Sequence, residues 1–363
     1  MKLVGALVLC SASLLAVYGS PPLFDTPLQY VAWKLGPSET ITLDGKLNDP
    51  AWLSVPFTSD FVDIRGAGFP TPRKSTRAKV RWDDSWLYVG ALLQENEIWA
   101  NQTQRNSVVF LDNDFEVFVC PDGSNHYYKE FEMNAANTIW SLVLNQPYLN
   151  GGSPVNTLWP IRSAVFIDGV LNVPSPATRF WSVEIAFPFK QYVINTTASA
   201  PPKPNDVWRI NFSRVEWTVR VVNGRFEKVA NKNEDNWVWS PQHAINMHLP
   251  ERYGLVTFAA GSRNQTVPDP VKATHWNVRY ALAEAYYALT AFASVNGYYT
   301  TNVSELFQVP SFLLDGSLGT TPPVIRMPAY GRWGFTDITV YDAQNSSVWG
   351  TIDQTRFLWL STV

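Results

Sequence analysis

Residues 236–254, "NWVWSPQHAINMHLPERYG", bring two tryptophans, two histidines and a methionine into one segment without helical or strand periodicity. Imidazole and thioether groups ligate metals and haem iron, and flat indoles stack on the apolar faces of sugar rings. Met247 and His248 are adjacent, so they cannot readily serve one iron together. The four histidines of the chain are scattered and no HExxH occurs, which leaves zinc chemistry unsupported. The segment reads as a long loop closing one end of a domain. Trp239 is its best candidate for a sugar platform.

A second stretch, "DNDFEVFVCPDG" (112–123), carries carboxylates. It has no Gly at its sixth position and no Glu at its twelfth, and so is not an EF-hand loop. Hydrolysis of a glycosidic bond needs two carboxylates flanking that bond. The strand reading places Asp114 and Glu116 on opposite faces, and no other pair stands out. A Ser-His-Asp arrangement has no GxSxG elbow to support it. These absences point to a binding protein with no catalytic residues. In "RINFSR", Asn211 and Arg214 lie an odd number of residues apart, so a regular strand turns them to opposite faces. Arg214 is expected to pair with Glu132 or Asp114, or to supply a basic group to a ligand.

The elements that must position these residues are short alternating runs punctuated by turns. "AKVRWDDSWLYVGALL" (78–93) reads as two strands and "YYKEFEMNAANTIWSLVL" (127–144) as a hairpin turning near 135–137. "SAVFIDGVLNV" (163–173) has an Asp-Gly tight turn between apolar runs, while 179–189 and 206–217 alternate cleanly. The pattern predicts an all-β antiparallel β-sandwich, of immunoglobulin or jelly-roll type, over 25–260. A linker is expected over 261–273, followed by a small α+β C-terminal unit over 274–363. That unit opens with an alanine-rich helix, N-capped by Thr274 and stopped by Gly297, and continues with two or three strands from 335 to 360.

Met1-Lys2, the apolar run 3–17 and the small residues Gly19 and Ser20 describe a secretory signal peptide over 1–19. No later run reaches the length of a transmembrane helix. The expectation is a secreted, extracellular protein without a transmembrane anchor. Cys10 leaves with that leader, and Cys120 alone forms no internal disulfide. It reads as a small buried hydrophobe. Sequons at Asn101, Asn195, Asn264, Asn302 and Asn345 are candidate glycan acceptors, and a sixth, Asn211, falls in a strand. A net charge of −3 with 16% charged residues excludes a nucleic-acid binder driven by a basic field. The 14% aromatic content suits carbohydrate stacking and a large β core equally.

Five landmarks then fall in a familiar order across 39–259: "ITLDGKLNDPAW", "VRWDDSWLYVGA", "DNDFEVFV" before a PDG turn, "VWRINFSRVEW" and "WSPQHAINMHLPERYGLVTF". Together they resemble the family 9 carbohydrate-binding modules, DOMON-like β-sandwiches that bind glycans without cleaving them, often beside glycoside hydrolases. In that family two aromatics sandwich a terminal sugar above acidic, basic and amide groups. The resemblance implies that Trp239 is the second aromatic and that Phe110 stands where the first is a tryptophan. It also makes Glu116 the hydrogen-bonding carboxylate and puts Glu132 where a basic group is expected. No cofactor is required, although the family often carries structural Ca²⁺, for which Asp112 and Asp114 are candidate ligands. The implied partners are a glycan or polysaccharide and a glycoside hydrolase. Two other readings stay open: an interaction protein whose sandwich has lost glycan binding, and a haem-binding redox domain.

Overall fold

The computed structural model describes residues 26–306, 318–329 and 331–361, so the expected signal peptide lies outside the described residues. Two compact units make up the chain. One takes in Pro27–Thr274 with Thr355–Phe357, and the other is built on His275–Gln354.

The first unit is one sheet of thirteen strands that curls until its halves face each other. In chain order its first strands are β1 (Gln29–Lys34), β2 (Val62–Asp63), β3 (Thr76–Trp82), β4 (Trp86–Gln94), β5 (Asp114–Cys120), β6 (Tyr128–Asn134) and β7 (Ile139–Leu144). They are followed by β8 (Pro154–Asn156), β9 (Arg162–Asp168), β10 (Phe180–Pro188) and β11 (Val207–Glu216). A separate hairpin, β12 (Val219–Val222) and β13 (Arg225–Lys228), precedes β14 (Asp235–Val238) and β15 (Gly254–Ala259). The spatial order is β8-β7-β6-β5-β11-β15-β1-β3-β4-β10-β9, with β14 on β11 and β2 on β14. Pairing is antiparallel throughout the sandwich except at β1, which runs parallel to both β15 and β3.

Strict alternation sets the core. Phe115 and Val117 of β5, Phe131 and Met133 of β6, and Trp208 and Phe212 of β11 face Val80, Val89, Val183 and Ile185 from the other half. Phe131 meets Phe187 edge-on across the gap at 5.0 Å. Burial of this apolar surface, at about 25 cal/mol per Å², drives the closure. The Asp44-Gly45 turn is held by one acid: Glu184 of β10 accepts the amides of Asp44 (2.8 Å) and Gly45 (2.7 Å) and the Trp52 indole (2.7 Å). Gly45 has φ +83, and a Cβ there would meet the Phe166 amide at 2.3 Å, so the turn admits no other residue without rearrangement.

Three local expectations need correction. The run after Asp168-Gly169 is not a strand, because Asn172 binds the Ala100 backbone through both its amide nitrogen and its carbonyl oxygen. Thr274 does not cap the long helix. It ends the short helix Pro270–Ala273, donating its hydroxyl to the Pro270 carbonyl, and His275 stands at the N-terminus of Trp276–Asn296 with φ 50. Residues 235–238 form β14, so the tryptophan-rich stretch begins as a strand. Cys120 is fully buried, and burial pushes its thiol up to about 12.

In the second unit, helix Trp276–Asn296 ends on Gly297 at φ 76 and turns Val278, Ala281, Leu282, Ala285 and Leu289 to one side. This i, i+3, i+4, i+7 stripe packs on Ile338, Val340, Ile352 and Leu358 of a four-stranded sheet. Its strands are β16 (Val324–Arg326), β17 (Asp337–Tyr341), β18 (Trp349–Asp353) and β19 (Leu358–Leu360). No helix among the described residues is long and apolar enough to cross a membrane. Asn101, Asn195, Asn264, Asn302 and Asn345 are exposed, whereas Asn211 is buried on β11 and offers no room for a glycan.

Candidate functional site

The face of β5 opposite the core carries Asp114, Glu116 and Phe118. Residues two apart on a strand share a face, so Asp114 and Glu116 stand side by side and not on opposite faces as the sequence reading had it. Register extends the row: Glu116 pairs with Glu132 of β6, Phe118 with Glu130, and Glu132 in turn with Trp140 of β7. Ser213 of β11 lies opposite Glu116 on the other side.

Phe110 forms the rim. It sits in the turn Val109–Leu111, and its amide donates to Glu132 Oε2 at 2.9 Å. Its ring is 36% exposed and stacks on Trp140 at 6.1 Å and 26°. The indole of Trp217 donates to the Phe110 carbonyl at 2.9 Å, and that of Trp140 to Asn156 Oδ1 at 2.9 Å. Half-exposed Trp140 and Trp217 thus flank the exposed Phe110 above a buried acidic floor. Burial is the main cause that raises all four carboxyls. Glu116 is pushed to about 7 and Glu130 to about 8, while Asp114 and Glu132 stand well above the usual carboxylate range, with neighbouring acids adding to the shift.

The structure brings together Phe110, Glu116 and Glu132, and separates Trp239 and Arg214 from them. Trp239 is 1% exposed. Its ring packs on Phe212 at 5.6 Å and Tyr30 at 6.4 Å, and lies so close over Gly254 that a Cβ there would meet it at 2.3 Å. A ring sealed between strands offers no face to a sugar, so Trp239 belongs to the core. Arg214 points to the core side of β11 and binds Glu95 (2.8 Å) and Glu216 (2.7 Å), not Glu132 or Asp114. It also donates to Thr76 Oγ1 and the Gln94 carbonyl, both at 3.0 Å. Every side of this guanidinium is engaged in structure.

Asp112 does not join the cluster either. Its Oδ2 accepts the amides of Asn101 (2.8 Å) and Gln102 (2.7 Å) and the Asn134 side chain (2.9 Å), an oxygen saturated by donors and unsuited to a cation. The His248 ring is walled by Tyr148 at 4.3 Å, Phe118 and Tyr128, and its Nδ1 bonds the Tyr128 hydroxyl at 2.8 Å, which leaves no open face for haem iron.

Glu130, Trp140 and Trp217 were not anticipated as site residues. Glu130 was accessible by counting two back from Glu132, and Trp140 by folding the 127–144 hairpin about its turn.

Comparison with known proteins bears on the same segment. Residues 43–146 match the family model described as carbohydrate family 9 binding domain-like. The match takes in Phe110, Glu116, Glu132 and Trp140. No curated protein matches the chain in sequence. A structure from Bacteroides uniformis, provisionally described as a carbohydrate-binding protein, aligns with TM-score 0.46 and 15% identity over 64% of this chain and 100% of that one. A family 9 carbohydrate-binding module from Caldicellulosiruptor kristjanssonii, in complex with cellotriose, aligns with TM-score 0.39 and 14% identity over 66% of this chain and 98% of that one. The same organism's module in complex with glucose gives TM-score 0.39 and 13% identity over 66% and 99%.

Proposed function

We propose that this chain is a secreted, non-catalytic carbohydrate-binding protein that holds a glycan against the face rimmed by Phe110 and Trp140. The observation that carries this reading is the pairing of an exposed, stacked aromatic edge with buried carboxyls inside the segment that matches a family 9 model. Aromatic rings supply dispersion to pyranose faces, and the buried carboxyl of Glu132 fixes the Phe110 rim by accepting its amide. Catalysis is not part of the proposal, since Asp114, Glu116 and Glu132 are no more than 5% exposed and leave no space to flank a scissile bond. Work beside a glycoside hydrolase fits a secreted binding module.

A glycan array on the mature protein tests binding, followed by calorimetry with the best ligand. Phe110→Ala and Trp140→Ala are each expected to weaken binding about tenfold or more, because stacking residues on a desolvated ligand dominate affinity. Binding should change little with moderate salt, since neutral sugars carry no charge to screen. A blank array, or full affinity in both variants, sinks the proposal. A blank array would favour an interaction protein that no longer holds sugar.

A further inference from the structure

Thr257 lies in β15, paired with Val31 of β1 on one side and Val207 of β11 on the other. Its neighbours Val256 and Phe258 belong to the core, so alternation turns Thr257 to the outer face. There the residue is 1% exposed, and its hydroxyl Oγ1 is buried without a hydrogen-bond partner. A valine has the same shape and no polar atom to strand. A buried hydroxyl left unpaired costs stability, so a threonine at this position asks for a partner from outside the chain.

The space in front of that hydroxyl has room for one. Gln29 and Val31 of β1 extend the same face, and residues 267–270 pass over it, enclosing a half-open cavity of about 250 Å³. Val31, Pro268 and Pro270 give it apolar walls. Two further polar groups join Thr257. Asp269 caps the Val271 amide through Oδ1 at 2.9 Å, and among the described residues its carboxylate enters no ion pair. The carboxamide of Gln29 makes no hydrogen bond among those residues either. No lysine, arginine or histidine of the described residues lines the cavity.

We infer that this cavity is a binding site for a compact, uncharged polyol of the size of one sugar ring. Pockets for drug-sized ligands run to roughly 300–1,000 Å³, so this one suits a smaller molecule. Hydroxyls on such a ring donate to Asp269 and to the Gln29 carbonyl oxygen, and accept from the Gln29 amide and from Thr257. Its C–H faces meet the proline and valine walls. An anion finds no cation here and meets the Asp269 carboxylate instead. The cavity shares no residue with the rim at Phe110, and the inference does not rest on the reading of that rim.

The full chain carrying Phe110→Ala and Trp140→Ala, which disables the rim, is titrated with glucose and followed by protein amide NMR. Saturable shifts at Gln29, Val31, Thr257 and Asp269 are expected, with glucuronate binding more weakly than glucose. Thr257→Val in the same background should weaken glucose about three- to tenfold, the effect of one lost hydrogen bond. Its unfolding temperature should be unchanged or raised, because the stranded hydroxyl is gone. No saturable shift at these amides with glucose up to about 100 mM would overturn the inference, as would full affinity in Thr257→Val. Glucuronate binding as tightly as glucose, or a clear loss of stability in Thr257→Val, would overturn it as well. If the background pair fails to fold, the wild-type chain gives the same reading, since amides at the rim and at the cavity report separately. A failure here leaves glycan binding at Phe110 standing, and the reverse holds too.

Discussion

At one end of the core, Glu95 and Glu216 meet Arg214 and Lys74, with Arg73 reaching in from the edge. On the outer face of β5 and β6, Asp114, Glu116, Glu130 and Glu132 meet chiefly one another. The two groups are equally sealed from water, so the difference in their proton affinity measures the company each keeps. Burial alone would raise Glu95, yet Arg214 and Lys74 hold it down to about 2, while for Glu216 beside it burial outweighs the same cations and leaves it raised. Burial with like charges carries Glu116 to about 7 and Glu130 to about 8. A sandwich that balances one set and leaves the other unbalanced is spending stability on the second, which is the pattern expected of a ligand site.

The comparison is broken most severely by removing the balance. Arg214→Leu leaves two acids buried beside Lys74 and the partly exposed Arg73 and should cost about 3–5 kcal/mol in urea unfolding; a neutral result would mean that the cluster is not held as an ion network. A smaller effect of opposite sign is expected in the other group. Folded carboxyls with raised values bind protons that the unfolded chain has already lost, so their penalty appears as pH rises from about 4.5 to about 8. Stability should therefore fall across that window, and Glu130→Gln should flatten the fall and gain on the order of 2 kcal/mol at its alkaline end. A slope identical in wild type and variant would remove Glu130 from the account. The smallest effect belongs to the surface pair Lys34–Asp84, where Asp84 is 73% exposed. Asp84→Asn should shift stability by less than about 1 kcal/mol, because solvent screens such pairs. A larger loss would show that location, and not balance, sets the cost of a charge in this fold.

Much of the fold was legible because strand alternation and turn residues are local signals. The β3–β4 and β6–β7 hairpins, β10, β11 and the helix ending at Gly297 stand where the pattern places them. The site was legible only in part. Phe110, Glu116 and Glu132 converge, but Arg214 finds Glu95, 119 residues away in sequence, and nothing in "RINFSR" announces that partner. Trp239 misled for another reason. The alternation Trp237-Val238-Trp239 is a strand signal, and both indoles fall on the core side while Val238 turns the other way. A cluster of aromatics at the end of a sandwich is read as a surface only when that period of two is overlooked. The same period, applied to Asp114 and Glu116, would have put both acids on one face.

The distribution of indoles has a consequence in light. Trp52, Trp82, Trp181, Trp208 and Trp239 are sealed in the interior, whereas Trp140 and Trp217 at the rim remain partly wet. Indoles in a dry apolar setting emit to the blue of those touched by water. The protein therefore carries two colours of intrinsic fluorescence: unfolding moves the blue band, and whatever settles against Phe110 moves the part of the red band that Trp140 and Trp217 contribute beside the exposed Trp333 and Trp359.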